Sequence, residues 1–136
     1  MPNLLLDTGA GVALLNREEK DRSACAEFFG NFRGRLFSTE PVLTESLYLL
    51  RDSFDAQKKC LLFFLGGVQL APCNTKSLTR SLALMEQYQD TPMDFADATL
   101  VALAEEISCG EIFTLDHRGF ETYRWGRHRV FKIYTE

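Results

Sequence analysis

Two aspartates three residues apart are the first side chains in this sequence whose spacing suggests a shared chemical task. Thr91-Pro92 precedes them, and proline disfavours helical backbone in the residue before it, so a new helix is expected to begin just after Pro92. Asp94 and Asp97 then fall in its first turn, where a spacing of three puts both carboxylates on one face. The pattern predicts either a helix capped by acids or part of a metal site.

Three more acids stand where a parallel sheet would bring them near that helix. Asp7 follows the first apolar run of the chain, and Asp116 follows a later one. Glu45 lies at the edge of the apolar stripe of a predicted helix, about 40° from Leu49 on a wheel of 3.6 residues per turn. Ligands of parallel sheets bind outside the carboxyl ends of the strands, so these acids are expected to share a crevice with Asp97.

Carboxylates that converge in this way repel one another and resist ionisation. Hard divalent cations remove that conflict, and Mg²⁺ prefers oxygen ligands while keeping several waters, which leaves room for phosphate oxygens. Two such ions about 3.5–4 Å apart activate a water and stabilise the leaving oxygen of an in-line displacement. The set of acids therefore indicates a metal site for phosphodiester chemistry, while each acid taken alone is equally consistent with helix capping or a turn.

The elements that would position these acids alternate between short apolar runs and helical periodicity. Strands are predicted at residues 3–6, 35–39, 68–71, 111–115 and 130–134. Helices are predicted within 8–15, 18–32, 41–50, 55–65, 75–88, 94–107 and 119–124. Such alternation predicts an α/β fold with a central, mainly parallel sheet flanked by helices. The whole chain, residues 1–136, fits a single domain.

Composition narrows the class of protein. Apolar residues make up 46% of the chain and charged residues 25%, as in an ordinary globular domain. The chain lacks a signal peptide and a run long enough to span a membrane, so its four cysteines are expected to be reduced thiols in a cytoplasmic protein.

The net charge is −4, but residues 117–136 hold five Lys/Arg against two acids. This basic stretch is either a solvated face or a contact for RNA phosphates. Its arginines are Arg118, Arg124, Arg127 and Arg129.

Four short motifs, in this order, resemble those of the PIN-domain ribonucleases, and most of all the VapC-like toxins of bacterial toxin–antitoxin pairs. They are Leu-Leu-Asp7-Thr-Gly-Ala, Leu-Thr-Glu45, Met-Asp94-Phe-Ala-Asp97-Ala-Thr-Leu and Phe-Thr114-Leu-Asp116-His-Arg-Gly-Phe. Each motif alone is weak, but the ordered set is specific and spans nearly the whole chain.

The resemblance implies a five-stranded parallel sheet between helices and an endoribonuclease that depends on Mg²⁺ or Mn²⁺. It implies that Asp7, Glu45, Asp97 and Asp116 are the metal ligands and catalytic acids. By the same resemblance, Asp94 is an auxiliary acid and Thr114 a supporting hydroxyl. The expected partners are an RNA substrate, a cognate antitoxin and a second copy of the chain. One departure is Gly9, where relatives often carry serine.

Two other functions fit parts of the sequence. Leu-Leu-Asp7-Thr-Gly-Ala also looks like the active-site signature of retroviral-type aspartic proteases, whose nearly all-β fold conflicts with the helical periodicity found here. A PIN-like domain that binds RNA or protein without cutting would keep the fold but would not need divalent ions. His117 and His128 are expected at the surface, because a hard-metal acid cluster needs no imidazole.

Overall fold

Five parallel strands form the centre of the molecule, seen in a computed structural model that describes residues 2–9, 12, 27 and 29–134. Their order across the sheet is β3-β2-β1-β4-β7, and each neighbouring pair is parallel. The strands are β1 (Asn3–Leu6), β2 (Arg35–Thr39), β3 (Val68–Ala71), β4 (Glu111–Phe113) and β7 (Lys132–Tyr134). A separate antiparallel hairpin joins β5 (Arg124–Trp125) to β6 (Arg129–Val130). The predicted α/β architecture with a five-stranded sheet is confirmed.

Five helices connect the strands within the described part of the chain. They are α1 (Glu40–Leu49), α2 (Phe54–Gly67), α3 (Thr75–Gln87), α4 (Phe95–Ile107) and α5 (His117–Thr122). Local chemistry sets where they begin: Ser53 caps α2, and Asn74 exchanges hydrogen bonds with Ser77 in a capping box at the start of α3. The helices predicted within 8–15 and 18–32 lie largely outside the described residues.

The helices cover both faces of the sheet, and β1 lies between two apolar clusters. Leu5 points into the cluster built around α4, whereas Leu4 and Leu6 point into the cluster that contains Cys60 and Phe64 of α2. This alternation follows from the two-residue side-chain period of a strand. Because all three leucines are buried, the strand reads as one continuous apolar run, as expected of a parallel strand covered on both faces.

The central helix is α4, whose small side chains let it press closely against the sheet. Eight of its 13 residues are buried, including Ala98, Leu100 and Val101, each fully shielded from solvent. It packs against α3, α1 and β2. Since α4 is held on several sides, the side chains of its first turn have a fixed place relative to the strand ends.

Three predicted boundaries near the end of the chain were wrong. β4 ends at Phe113, and α5 begins at His117, two residues earlier than predicted, because the Asp116 side chain caps it. The strand predicted at 130–134 is divided between β6 and β7, and the hairpin was not predicted. In the part of the chain that the structure describes, no helix is both long and apolar enough to cross a bilayer.

Candidate active site

Asp7 is a buried carboxylate at the carboxyl end of β1. Its backbone N–H donates to the carbonyl of Phe113, which continues the pairing of β1 with β4 by one residue. The two carboxylate oxygens accept hydrogen bonds from the Thr8 backbone N–H at 2.8 Å and from the Thr114 hydroxyl at 2.7 Å. Burial nevertheless raises the pKa of Asp7 to about 6, since these two donors only partly replace water.

Thr114 joins Asp7 to Asp116, the acid that follows β4. The fully buried Thr114 hydroxyl donates to Asp7 and accepts the backbone N–H of Asp116 at 2.9 Å. The exposed Asp116 side chain accepts the N–H of Gly119 at 3.1 Å and so caps α5. A Cβ atom on Gly119 would lie 2.5 Å from Asp116 Oδ2, so any larger residue here would displace the Asp116 carboxylate. Thr114, predicted as a hydroxyl that supports the site, thus contacts both Asp7 and Asp116.

Asp94 and Asp97 take different roles at the start of α4. Asp94 is exposed and caps the helix, accepting the backbone N–H of Asp97 at 2.8 Å. Asp97 is buried, with 8% of its surface exposed, and its Oδ2 lies 3.2 Å from the Tyr123 hydroxyl. Burial, followed by the charges of Asp7, Asp94 and Asp116, raises the pKa of Asp97 to about 8. Capping therefore accounts for Asp94 and does not account for Asp97.

Glu45 reaches the same group of acids from α1. It is half-buried, and its pKa is raised by burial and then by the charge of Asp94, with a smaller contribution from Asp7. The buried Thr8 hydroxyl lies close enough to favour the charged form of Glu45, yet it completes no full hydrogen bond with the described residues. An unsatisfied buried hydroxyl beside an acid marks a place where a bound water or ion would be stabilised.

The donor set suits a hard cation, although it is not a finished coordination shell. Every acid in the group offers oxygen, the ligand that Mg²⁺ and Mn²⁺ prefer. Among the described residues, however, no three His, Cys, Asp or Glu side chains are already placed closely enough to bind one metal ion together. An ion would therefore have to draw these side chains inward, and the mutual repulsion that raises their pKa values would favour its binding.

Comparison with known proteins identifies the family. A sequence model of the PIN domain matches residues 4–126. The chain belongs to the PIN domain family. Ribonuclease VapC26 of Mycobacterium tuberculosis is 31% identical over 124 residues, which cover 89% of this chain and 92% of that protein.

Solved structures share the PIN fold with this chain. The crystal structure of Mycobacterium tuberculosis VapC20, described as a sarcin-ricin loop cleaving toxin, matches with a TM-score of 0.77 and 17% identity, covering 85% of this chain and 93% of that one. A toxin–antitoxin complex from Klebsiella pneumoniae matches with a TM-score of 0.67 and 17% identity, covering 88% and 91%.

Tyr123 is a residue of this PIN domain that the sequence analysis missed. It follows α5, is fully buried, and places its hydroxyl beside Asp97. The sequence held one weak signal, because Phe120 and Tyr123 are three residues apart and would share a face of the short helix after Asp116. Nothing local, however, pointed from Tyr123 to an acid 26 residues earlier.

The four arginines of the basic stretch are distributed along the PIN domain surface. Arg118 is exposed in the first turn of α5, two residues after Asp116. The Arg124 guanidinium donates to three carbonyls at the end of α5, and Arg129 lies over the Trp125 ring at 5.0 Å. Arg127 is exposed in the hairpin turn. Local contacts therefore hold two of the four side chains.

The hairpin that carries Arg127 and Arg129 is anchored far from Asp97. Its Trp125 ring fills the space beside Gly110, at the start of β4, where a Cβ atom would collide with the indole. The Gly126 N–H donates to the carboxylate of Glu105, which lies eight residues beyond Asp97 and so about 12 Å along α4. Of the four arginines, Arg118 is the nearest in sequence to Asp116.

Proposed function

We propose that this PIN domain is an endoribonuclease that uses Mg²⁺ or Mn²⁺ held by Asp7, Glu45, Asp97 and Asp116. The observation that carries the proposal is the pair of buried carboxylates, Asp7 and Asp97, whose pKa values are both raised and both respond to the charge of Asp116. Burying two acids beside a third is costly unless a cation compensates them. The 31% identity to Ribonuclease VapC26 supports RNA as the substrate.

The residues of the chain would have distinct tasks in the reaction. A bound divalent ion supplies a water with a lowered pKa and stabilises the leaving oxygen. Asp7, at the carboxyl end of β1, and Asp97, in the first turn of α4, would hold the ion, because both carboxylates are buried. Thr114 keeps Asp7 in one orientation and ties it to Asp116 through the Asp116 backbone. Asp94 would contribute charge at the edge of the site while it caps α4.

RNA has to approach a group of acids that repels its phosphates, so nearby cations would assist binding. Arg118 is suited to this role, because it is exposed and lies two residues after Asp116, at the start of α5. Arg124, Arg127 and Arg129 are proposed as contacts farther along the RNA, with Arg124 needing to release its carbonyl partners first. Such contacts would make binding depend on salt concentration.

We further propose that the chain is the toxin of a toxin–antitoxin pair and forms homodimers. The Klebsiella pneumoniae structure that shares its fold is a toxin–antitoxin complex. Large apolar side chains are exposed on this chain, among them Leu61 at 40%, Leu62 at 56% and Leu65 at 83%, all on α2. Exposed apolar surface of this kind is typical of protein interfaces.

A domain that binds RNA without cutting it is the second candidate function. It is favoured by one observation, the lack of a ready-made metal-holding group among the described residues. The test measures cleavage of RNA by the purified protein with Mn²⁺, with Mg²⁺ and with a chelator. Asp7→Asn and Asp97→Asn should abolish cleavage while the circular dichroism spectrum stays unchanged. Asp52→Asn, which removes an exposed acid between α1 and α2, is the matched control and should cleave normally.

In preparations free of contaminating nuclease, equal cleavage by wild type, Asp7→Asn and Asp97→Asn would show that the acids are not catalytic. Metal-indifferent RNA binding without cleavage would favour the second candidate.

A further inference from the structure

Tyr123 is rigidly held next to the candidate metal site. Its ring is fully buried and meets the rings of Tyr88 and Phe120 edge-on, each with 5.2 Å between ring centroids. Its backbone N–H donates to the carbonyl of Gly119 at 2.9 Å, which fixes the residue to the end of α5. A ring packed in this way has little freedom to change rotamer, so its hydroxyl occupies a defined point in the protein.

The Tyr123 hydroxyl has a single proton to donate, and two acceptors lie within hydrogen-bonding distance of it. It lies 2.9 Å from the Pro92 carbonyl oxygen and 3.2 Å from Asp97 Oδ2. The Pro92 carbonyl alone would satisfy the buried hydroxyl, so the second contact is not needed to stabilise the fold. A carboxylate that carries a full negative charge is the stronger acceptor, and a hydrogen bond to it is shorter and stronger than one to a neutral carbonyl.

We propose that Tyr123 is a positioning residue that holds the Asp97 carboxylate in the orientation required to bind a divalent ion. The proposal rests on the proposed function, since it assumes that Asp97 is a metal ligand. Hydrogen bonds also orient the other buried acid, Asp7, whose two carboxylate oxygens accept from the Thr8 N–H and the Thr114 hydroxyl. At Asp97, the Tyr123 hydroxyl would leave Oδ1 to face the ion. Partners of this kind orient ligating carboxylates in known metal sites.

Tyr88 provides a matched control within the same aromatic cluster. Its hydroxyl accepts the backbone N–H of Arg124 at 2.9 Å, and its ring packs against Tyr123. Tyr88→Phe and Tyr123→Phe therefore each remove one hydroxyl from the same group of rings. The hydroxyl contacts differ, because the one at Tyr123 reaches Asp97 and the one at Tyr88 reaches backbone. A purely structural role predicts the same outcome for both variants.

The experiment measures the affinity of the full-length protein for Mn²⁺ by titration calorimetry and by the shift of its melting temperature. Tyr123→Phe should bind Mn²⁺ about 10- to 100-fold more weakly than wild type. Tyr88→Phe should bind it with wild-type affinity. In RNA cleavage, the Mn²⁺ concentration for half-maximal rate should rise by the same factor for Tyr123→Phe, and the rate should recover toward wild type at saturating Mn²⁺. Circular dichroism and the metal-free melting temperature verify that both variants fold.

The results that would overturn the proposal are distinguishable. Wild-type affinity in Tyr123→Phe would show that Asp97 needs no such partner. An equal loss in both variants would show that the aromatic cluster acts only through stability. If wild type and Asp97→Asn bind Mn²⁺ equally, Asp97 is not a ligand, and the proposed function fails together with the inference. Loss of binding in Asp97→Asn but not in Tyr123→Phe would refute the inference alone.

Discussion

Replacing Asp97 with asparagine should stabilise the metal-free protein, although the substitution removes a proposed catalytic group. Asp97 is 8% exposed, and its pKa is raised to about 8 by burial and by the charges of Asp7, Asp94 and Asp116. In the unfolded chain the same carboxyl titrates near its ordinary value. When the pH is above that ordinary pKa, folding therefore requires Asp97 either to take up a proton or to bury a charge that its neighbours repel. Asparagine has neither requirement, and its amide oxygen can still accept the hydrogen bond from Tyr123.

The size of the effect follows from linkage between proton binding and folding. A pKa raised in the folded state contributes stability that is complete at low pH and is lost as pH rises toward the folded pKa. Each unit corresponds to about 1.4 kcal/mol, so the wild-type free energy of unfolding should fall by up to about 4 kcal/mol between pH 4 and pH 7 through Asp97 alone. The advantage of Asp97→Asn should accordingly be larger at pH 7 than at pH 5, by about 3 kcal/mol.

The assay is urea unfolding of both proteins in chelator at pH 5 and at pH 7, with Asp52→Asn as the control for loss of one surface acid. The difference between Asp97→Asn and wild type should widen with pH, whereas Asp52→Asn should follow wild type at both pH values. A difference that is the same at both pH values, or an Asp97→Asn protein less stable than wild type at pH 7, would refute the view that Asp97 is a buried and repelled acid.

Three further outcomes are expected. Saturating Mn²⁺ should raise the melting temperature of wild type, because it binds the folded state, and should shift Asp97→Asn far less; equal shifts in both would place the ion elsewhere. Gly119→Ala should lower cleavage by about 100-fold, because its Cβ atom displaces the Asp116 carboxylate, while Gly66→Ala, with no atom within 4 Å of the added Cβ, should cleave normally. Arg118→Ala should weaken RNA binding and reduce the slope of its salt dependence by about one unit. Arg127→Ala should have a smaller effect on both. Equal effects of the two substitutions would contradict the placement of the hairpin away from the acids.

Much of the fold could be predicted because its signals are local. β3 runs from Val68 to Ala71 as predicted, since a helix-ending glycine pair and a proline bound the apolar run. α4 begins where the sequence of Pro92 and Asp94 indicated. The hairpin was missed because it depends on Trp125 packing beside Gly110, a contact between residues that are distant in sequence. From the sequence, Val130 and Phe131 were predicted to belong to one strand, but in the structure β6 ends at Val130 and β7 begins at Lys132.

The acids of the candidate site and the Thr114 hydroxyl could be proposed from the sequence, whereas the Tyr123 contact could not. Aspartate after an apolar run, or in the first turn of a helix, is visible in the sequence. The orientation of each carboxylate depends on pairs such as Tyr123 with Asp97, which only the folded chain brings together. The remoteness of Arg127 and Arg129 from the acids likewise follows from the Gly126 contact to Glu105, which has no local signal.

The order of the site residues along the chain bears on how the protein is made. The hydroxyls that hold the two buried acids, on Thr114 and Tyr123, both come after those acids, by 107 and 26 residues respectively. At translation rates of about 5–20 residues per second, the 26 residues between Asp97 and Tyr123 alone take about 1–5 s to synthesise. Throughout that interval Asp97 lacks the Tyr123 hydroxyl, and Asp7 lacks the Thr114 hydroxyl until residue 114 has been made. The site of such a nuclease therefore stays incomplete while the ribosome is translating the messenger RNA that encodes the nuclease.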